Sequence, residues 1–289
     1  MRARIHHPVA EAIERQIQQD PGGRGIEQWG CREELLPATL SLMRGRHVVI
    51  TTGFYIAAAG AIETDGPPGA IILATALQKL GKRVTLLVDD HAARIMARGL
   101  DVMAASVETV ATAPGAPIAP DSLFQSDTTH FLAIERAGRS ADGRYYNFAG
   151  RDITAHVAPV DDLFEEARET GIVTIGIGDG GNELGMRRVA EAVDRHLAVE
   201  PPISCSVDAD YCICAGVSNW GGYGMTALLS RLTGERLLPP LSRLNTLLAA
   251  IVDAGAVDGI SARRRPTVDG LKPAWEREIY QRMRRLSAA

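Results

Sequence analysis

The chain has 289 residues, 46% of them apolar and 23% charged. That is length enough to bury a core in one large or two small domains, and the composition does not suit a disordered, collagen-like or coiled-coil protein. With 31 Lys and Arg against 35 Asp and Glu the formal net charge is -4, so no basic field exists to neutralise a phosphate backbone and nucleic acid is not an expected partner.

Val9, Ile13 and Ile17 recur every four positions before Pro21-Gly22-Gly23 breaks the pattern, so residues 1–45 read as a helical packing arm. Arg2 and Arg4 are followed by Glu11, Glu14 and Asp20 without an apolar block; no export signal is predicted and the expected location is cytoplasmic. His47-Val48-Val49-Ile50 is β-branched and short, as a buried strand should be. The uncharged run 48–62 is broken by Thr51, Thr52, Gly53 and Gly60 and is too short to span a bilayer.

The next unit is the clearest. Pro67 and Pro68 suit a helix opening, Leu73, Leu77 and Leu80 share a face, Gly81 suits the left-handed cap, and 84–88 is the following strand. Further strands are predicted at 106–110, 130–135, 172–177 and 211–214, with helices at 91–103, 161–170 and 183–197. After residue 225 only helices follow, at 225–233, 241–254 and 274–286, the last carrying Arg277, Arg282, Arg284 and Arg285 on a solvated face. Such alternation predicts an α/β fold: a mostly parallel, Rossmann-like sheet in three layers, helices on both faces joined by right-handed crossovers, and a helical C-terminal region. Residues 46–289 are read as one α/β domain behind the arm.

Cys31, Cys205, Cys212 and Cys214 form no C-x-x-C pair and no histidines fall in an H-x-x-x-H pair, so buried free thiols are expected rather than a zinc site. Gly176, Gly178 and Gly181 match G-x-G-x-x-G, but Pro201-Pro202-Ile203 stands where a dinucleotide fold needs a strand ending in an acid; nicotinamide cofactors are not expected.

Ligands of open parallel sheets sit beyond the carboxyl ends of the strands, and four segments occupy that position. The first holds Glu63 and Asp65, read either as acid/base or metal-ligating groups or, for Asp65, as the cap of the helix opening at Pro67. The second carries His130, Glu135 and Arg136 and then Arg144, Asn147 and Arg151, three arginines that could include a fork for a carboxylate; alternation gives His130 an equal claim to the core. The third, 175–183, sets Asp179 beside several backbone N–H groups, with Asn182 or Glu183 at a helix start. In the fourth, Ser218 lacks the G-x-S-x-G flanks of a nucleophile, while Trp220 and Tyr223 either wall a pocket or pack beneath the loop. The windows 53–69, 138–150, 176–185 and 216–224 hold 16 of the 29 glycines, which suggests backbone closing around a small polar ligand.

Taken together, Glu63-Thr64-Asp65-Gly66-Pro67-Pro68-Gly69-Ala70, Ile134-Glu135-Arg136 with Asp142-Gly143-Arg144-Tyr145-Tyr146-Asn147, Gly176-Ile177-Gly178-Asp179-Gly180-Gly181-Asn182-Glu183 and Gly216-Val217-Ser218-Asn219-Trp220-Gly221-Gly222-Tyr223 resemble the C-terminal domain of the D-glutamate cyclase family over roughly residues 35–275. The resemblance implies reversible dehydration of D-glutamate to 5-oxo-D-proline, a lyase reaction. Animal mitochondrial members carry an additional N-terminal hydro-lyase-like domain that has no counterpart in these residues.

Intramolecular ring closure gains rate from proximity and needs proton transfer and stabilisation of an oxyanion, but no ATP. On this reading Glu63, Asp65, Asp179 and Glu183 are the catalytic candidates, with proton transfer assigned to Asp179 or Glu183. Arg136 or Arg144 takes the α-carboxylate, the amides of Gly180 and Gly181 take the oxyanion, and Asn147, Asn182, Ser218, Asn219 and Trp220 complete the binding set. No cofactor is required by the scheme. Should the carboxylates converge, Asp65 and Asp179 are the tentative ligands of Mg²⁺ or Mn²⁺ rather than zinc. The expected partner is an acidic amino acid or similar small anion, and assembly into a homo-oligomer is left open. Two other classes fit the same residues: a metal-dependent hydrolase or phosphatase, and a non-catalytic small-molecule-binding protein.

Overall fold

A computed structural model describes residues 7–29, 31–197, 200 and 202–288. The chain opens with α1 (Pro8–Ile17) and α2 (Leu35–Met43), then β1 (His47–Gly53), a hairpin of β2 (Tyr55–Ile56) and β3 (Ala61–Ile62), α3 (Pro67–Lys79), β4 (Arg83–Asp89), α4 (Asp90–Met103) and β5 (Glu108–Thr112). It continues through β6 (Thr128–Arg136), α5 (Asp161–Glu169), β7 (Val173–Gly178), α6 (Ala190–Leu197), β8 (Tyr211–Cys214), α7 (Ser218–Thr233), α8 (Leu241–Ala254) and α9 (Pro273–Ser287).

The main sheet has the order β5-β4-β1-β6-β7-β8 with every pairing parallel. This is the Rossmann order: the chain grows outward from β1 in one direction, returns, and grows from β6 in the other. The predicted sheet is therefore present. Strand alternation sorts the core in the way a pleat requires. Val48 and Ile50, Leu132 and Ile134, and Ile175 and Ile177 join one apolar cluster with α3, α4, α7, α8 and α9. Val49, Phe131 and Ala133 turn to the other face and meet Leu163 and Phe164 of α5. Ile13 and Ile17 of α1 are fully buried in the first cluster, so the arm is packed into the same core as the sheet.

Four local expectations change. The helix expected at 183–197 is only α6, preceded by a 3-10 turn at Arg187–Val189, because Leu184 N–H instead bonds Arg136 O at 2.8 Å and Ala137 bridges Glu183 in an extended pairing. The helix expected from 225 starts at Ser218, seven residues earlier. Strand β5 is shifted two residues toward the C-terminus relative to 106–110. The β2–β3 hairpin leaves no period in the sequence, its strands being two residues each.

The early start of α7 accounts for some of the clustered glycines. A Cβ built on Gly222 would lie 2.8 Å from the Gly69 Cα, so these two glycines let α3 and α7 cross backbone against backbone. Their function is close helix packing, not the wrapping of a ligand.

Candidate active site

The carboxyl ends of β1 and β6 lie side by side where the strand order reverses, which is the crevice this topology offers a ligand. Register shapes that crevice. Thr52 pairs with Ile134 and Gly53 with Arg136, leaving Glu135 as the extra residue of a bulge at a φ of +46°, a conformation uncommon outside glycine and typical of functional positions. The bulge brings the Glu135 carboxylate to the Ser218 hydroxyl, which donates to its Oε2 at 2.6 Å. Gly66 passes close by at φ +91°, where a Cβ would stand 2.6 Å from the Glu135 Cβ and from Thr52 Oγ1.

Asp65 does not cap the helix that follows it. Its Oδ1 accepts from Gly66 N and Asn219 N at 2.9 and 2.7 Å, and its Oδ2 from Ser218 N at 2.8 Å, so it caps the positive end of α7 across the crevice. Asn219 returns the connection, accepting from Gly69 N at 2.8 Å and donating to Thr64 O at 2.9 Å. The first and fourth sequence segments are thereby locked together.

Asp179, at the end of β7, completes a group with Asp65 and Glu135: one carboxylate oxygen from each lies within 4.8 Å of the others. Arg24 reaches this group from the arm. The Asp20 carboxylate gathers the N–H groups of Arg24, Gly25 and Ile26 at 2.9, 2.7 and 3.3 Å, folding the Pro-Gly-Gly break into a turn that presents the guanidinium. Arg24 then pairs with Asp179 and, at 2.9 Å, with Asp269.

Burial raises the carboxyl groups of Glu63, Asp65, Glu135 and Asp179 well above their usual range. Removal of water is the principal cause in each, and the charge of neighbouring acids adds to it: Asp269 on Glu63 and Asp65, Glu183 on Glu135. At Asp179 the Arg24 guanidinium pulls in the opposite direction.

The glycine loop after β7 is already satisfied from within. Glu183 folds back so that its carboxylate accepts from Asp179 N at 3.2 Å, Gly180 N at 2.6 Å and Gly181 N at 2.7 Å. The amides of Gly180 and Gly181, expected to receive a substrate oxyanion, hold this side chain, which acts as the anion of its own nest.

A cleft of about 350 Å³ opens over these groups, within the range of small-molecule sites. Glu63, Glu135, Glu183, Arg24 and Arg151 line it, together with Asn147, Asn182, Phe148 and Ile260. The Arg24 guanidinium lies 5.5 Å from the centre of the Phe148 ring.

The remaining sequence candidates lie elsewhere. Arg136 is fully buried and forks onto Asp89 at 2.6 and 2.9 Å while also donating to Ala158 O at 2.7 Å; its fork belongs to the fold, not to a ligand. Arg144 is 62% exposed beside Asp152. Of the three clustered arginines, Arg151 is the one on the cleft. Trp220 is fully buried and donates from Nε1 to Glu276 at 2.6 Å, and Tyr223 packs edge-on against Tyr280, so both serve the core beneath α7. Buried His130 sits 3.2 Å from the Ser41 hydroxyl. All four cysteines are free and buried; Cys31 of the arm meets Cys212 and Cys214, with the three sulfurs within 4.8 Å, a convergence that spacing alone does not reveal.

The sequence pattern does not single out Arg24 or Asp269, and it leaves Glu135 in the second segment without an assigned role. The only trace of Asp269 was the echo of Val257-Asp258-Gly259 in Val268-Asp269-Gly270. In the fold Asp258 Oδ2 accepts from Gly270 N at 2.9 Å, which pins the second copy of the motif over the site. Among the described residues no helix is long and apolar enough to cross a membrane.

A family model described as D-glutamate cyclase-like, C-terminal, matches residues 13–284. The curated Homo sapiens protein named D-glutamate cyclase, mitochondrial, is 37% identical over an alignment that covers 92% of this chain and 51% of that protein. The chain thus spans about half the length of the curated relative it matches.

Proposed function

The chain belongs to the D-glutamate cyclase-like family, through that family's C-terminal domain, and from this premise we propose that it closes D-glutamate to 5-oxo-D-proline with loss of water, and runs the reverse reaction. The amine nitrogen attacks the side-chain carboxyl carbon, a C–N bond forms and a C–O bond breaks. The protons leaving nitrogen balance those that depart with oxygen as water.

The observation that carries this reading is the charge arrangement of the cleft. Arg24 and Arg151 share one small cavity with Glu63, Glu135 and Glu183; Arg24 is paired with Asp179 and Asp269, so exposed Arg151 is the cation open to a substrate carboxylate, and the glutamates supply partners for its ammonium. A substrate held at more than one point in so small a cavity is brought toward the ring geometry, which converts binding into proximity. Glu63 and Glu135 line the cavity and are assigned to proton transfer between the amine and the departing oxygen. Glu183 is assigned a positioning role, because its carboxylate fixes the loop that carries Asp179.

Incubation of the purified chain with D- and L-glutamate and with 5-oxoproline of each hand, followed by chiral chromatography, tests the proposal. Interconversion of the D pair is expected. Absence of conversion in either direction, with and without Mg²⁺ or Mn²⁺, would overturn it.

A further inference from the structure

Cys31, Cys212 and Cys214 turn their sulfurs toward one another. The Cys31 and Cys212 Sγ atoms are 3.5 Å apart, each of the three thiols is within hydrogen-bonding reach of the other two, and all three sulfurs lie within 4.8 Å. The thioether of Met186, between β7 and α6, adds a fourth sulfur 3.6 Å from Cys212 Sγ. A buried cysteine ordinarily behaves as a small hydrophobe, and packing alone gives no reason for four sulfurs from three separate segments to converge. The thiols are also fixed from behind, as metal ligands are. Cys212 and Cys214 share one face of β8, in register with Gly176 and Gly178 of β7. Cys31 is placed by α1 and the residue after it: the Gln18 side-chain amide donates to Cys31 O at 2.7 Å, and the Glu14 carboxylate accepts from the N–H groups of Glu33, Glu34 and Leu35 at 3.0, 3.1 and 3.3 Å.

We propose that Cys31, Cys212 and Cys214 form a site for one soft, thiophilic metal ion, Cu(I), bound by three sulfurs and fastening the N-terminal arm to β8. With metal–sulfur bonds of about 2.3 Å, three sulfurs in a plane around an ion stand about 4.0 Å apart, which lies inside the observed spread. Thiolate and thioether donors select Cu(I), whereas Zn²⁺ asks for a fourth ligand of the nitrogen, oxygen or thiolate kind, and among the described residues this group holds three cysteines alone. Binding forms sulfur–copper bonds and releases the thiol protons to water, with no change of oxidation state. The guanidinium of exposed Arg188 is close enough for its charge to favour the thiolates of Cys31 and Cys212, and it offsets the negative charge that the site gathers. The site does not depend on the function proposed above.

The test is anaerobic titration of the reduced full chain with Cu(I) in competition with the chelator bicinchoninate, followed by X-ray absorption at the copper edge. One Cu(I) per chain is expected, in a shell of three sulfurs, and about a hundredfold excess of Zn²⁺ should not displace it. Cys31→Ser and Cys214→Ser, each checked for folding by circular dichroism, should weaken binding at least tenfold, and Cys205→Ser, outside the group, should leave it unchanged. The absorption spectrum of the wild-type complex decides the matter even where a variant does not fold. Failure of the wild-type chain to take copper from the chelator, a shell of nitrogen or oxygen, displacement by Zn²⁺, or binding indifferent to the Cys31 and Cys214 substitutions overturns the proposal.

Discussion

The guanidinium of Arg24 on the N-terminal arm meets the carboxylate of Asp179 at the end of β7, 155 positions along the chain. The arm is therefore both a packing element, through Ile13 and Ile17, and a contributor of charge to the cleft. Arg24 side-chain exposure is 15% and that of Asp179 is 1%, so removing one partner strands a charge that water cannot reach well.

Arg24→Met is expected to lower the stability of the chain by about 2 to 3 kcal/mol, below the usual cost of breaking a fully buried pair because the guanidinium keeps some contact with solvent. The double variant with Asp179→Asn should lose less than the sum of the two single changes, by about 1 kcal/mol or more. Urea denaturation of the four proteins measures both quantities, and strict additivity would contradict the pairing.

Two arginines from one stretch of sequence should part company on mutation. Arg136→Met strips buried Asp89 of its guanidinium fork, leaving it the Ala158 N–H at 3.0 Å and His91 at 3.7 Å, and is expected to cost roughly 3 kcal/mol of stability. Exposed Arg151 lines the cleft, so Arg151→Gln should change stability by no more than about 0.5 kcal/mol. On the proposed function it should also raise KM for D-glutamate about tenfold, the loss of one charge-assisted hydrogen bond. Thermal denaturation and steady-state kinetics on the pair separate fold from ligand.

Burial pushes the carboxyl of Glu276 up to about 7, and the hydrogen bond from Trp220 offsets only part of that rise. The folded state therefore holds a proton that the unfolded chain releases at ordinary carboxylate pH. Stability is lost as pH rises from about 4.5 to about 7 and levels off above that. Glu276→Gln should remove this contribution, so that the wild-type minus variant difference in unfolding free energy changes by roughly 3 kcal/mol across the window. Urea curves at stepped pH read it, and a flat difference would exclude the buried proton.

Gly222→Ala tests the crossing of α3 and α7. A methyl there would stand 2.8 Å from Gly69 Cα and 2.9 Å from its carbonyl oxygen, both backbone atoms without freedom to turn aside. The gain of about 1 kcal/mol in helix propensity should be outweighed by overpacking, giving a net loss of about 1 to 2 kcal/mol. A fall in the urea midpoint at unchanged m-value is the expected signature.

The alternation of strands and helices was legible because burial on a pleat or a helix face leaves a local period: Val48 and Ile50 against Val49, and Leu73 with Leu77, declare their faces without knowledge of partners. The acids Glu63, Asp65, Asp179 and Glu183 were legible for a related reason, since each sits where a strand gives way to a loop. Less legible were the roles within that set. Glu183 resembled a helix start, yet its carboxylate closes the nest formed by Asp179, Gly180 and Gly181. Asp65 resembled a cap for α3 and instead caps α7.

The sequence by itself thus determined a parallel sheet with a polar, glycine-rich rim at its carboxyl edge. Tertiary structure alone decided which charges meet there. Arg24 and Asp269 are 245 positions apart, and Glu135 enters the site only because a one-residue bulge offsets β6 against β1. Local pattern specifies which side of an element is buried, whereas partner, register and bulge depend on how distant elements are brought together, and no short-range period carries that information.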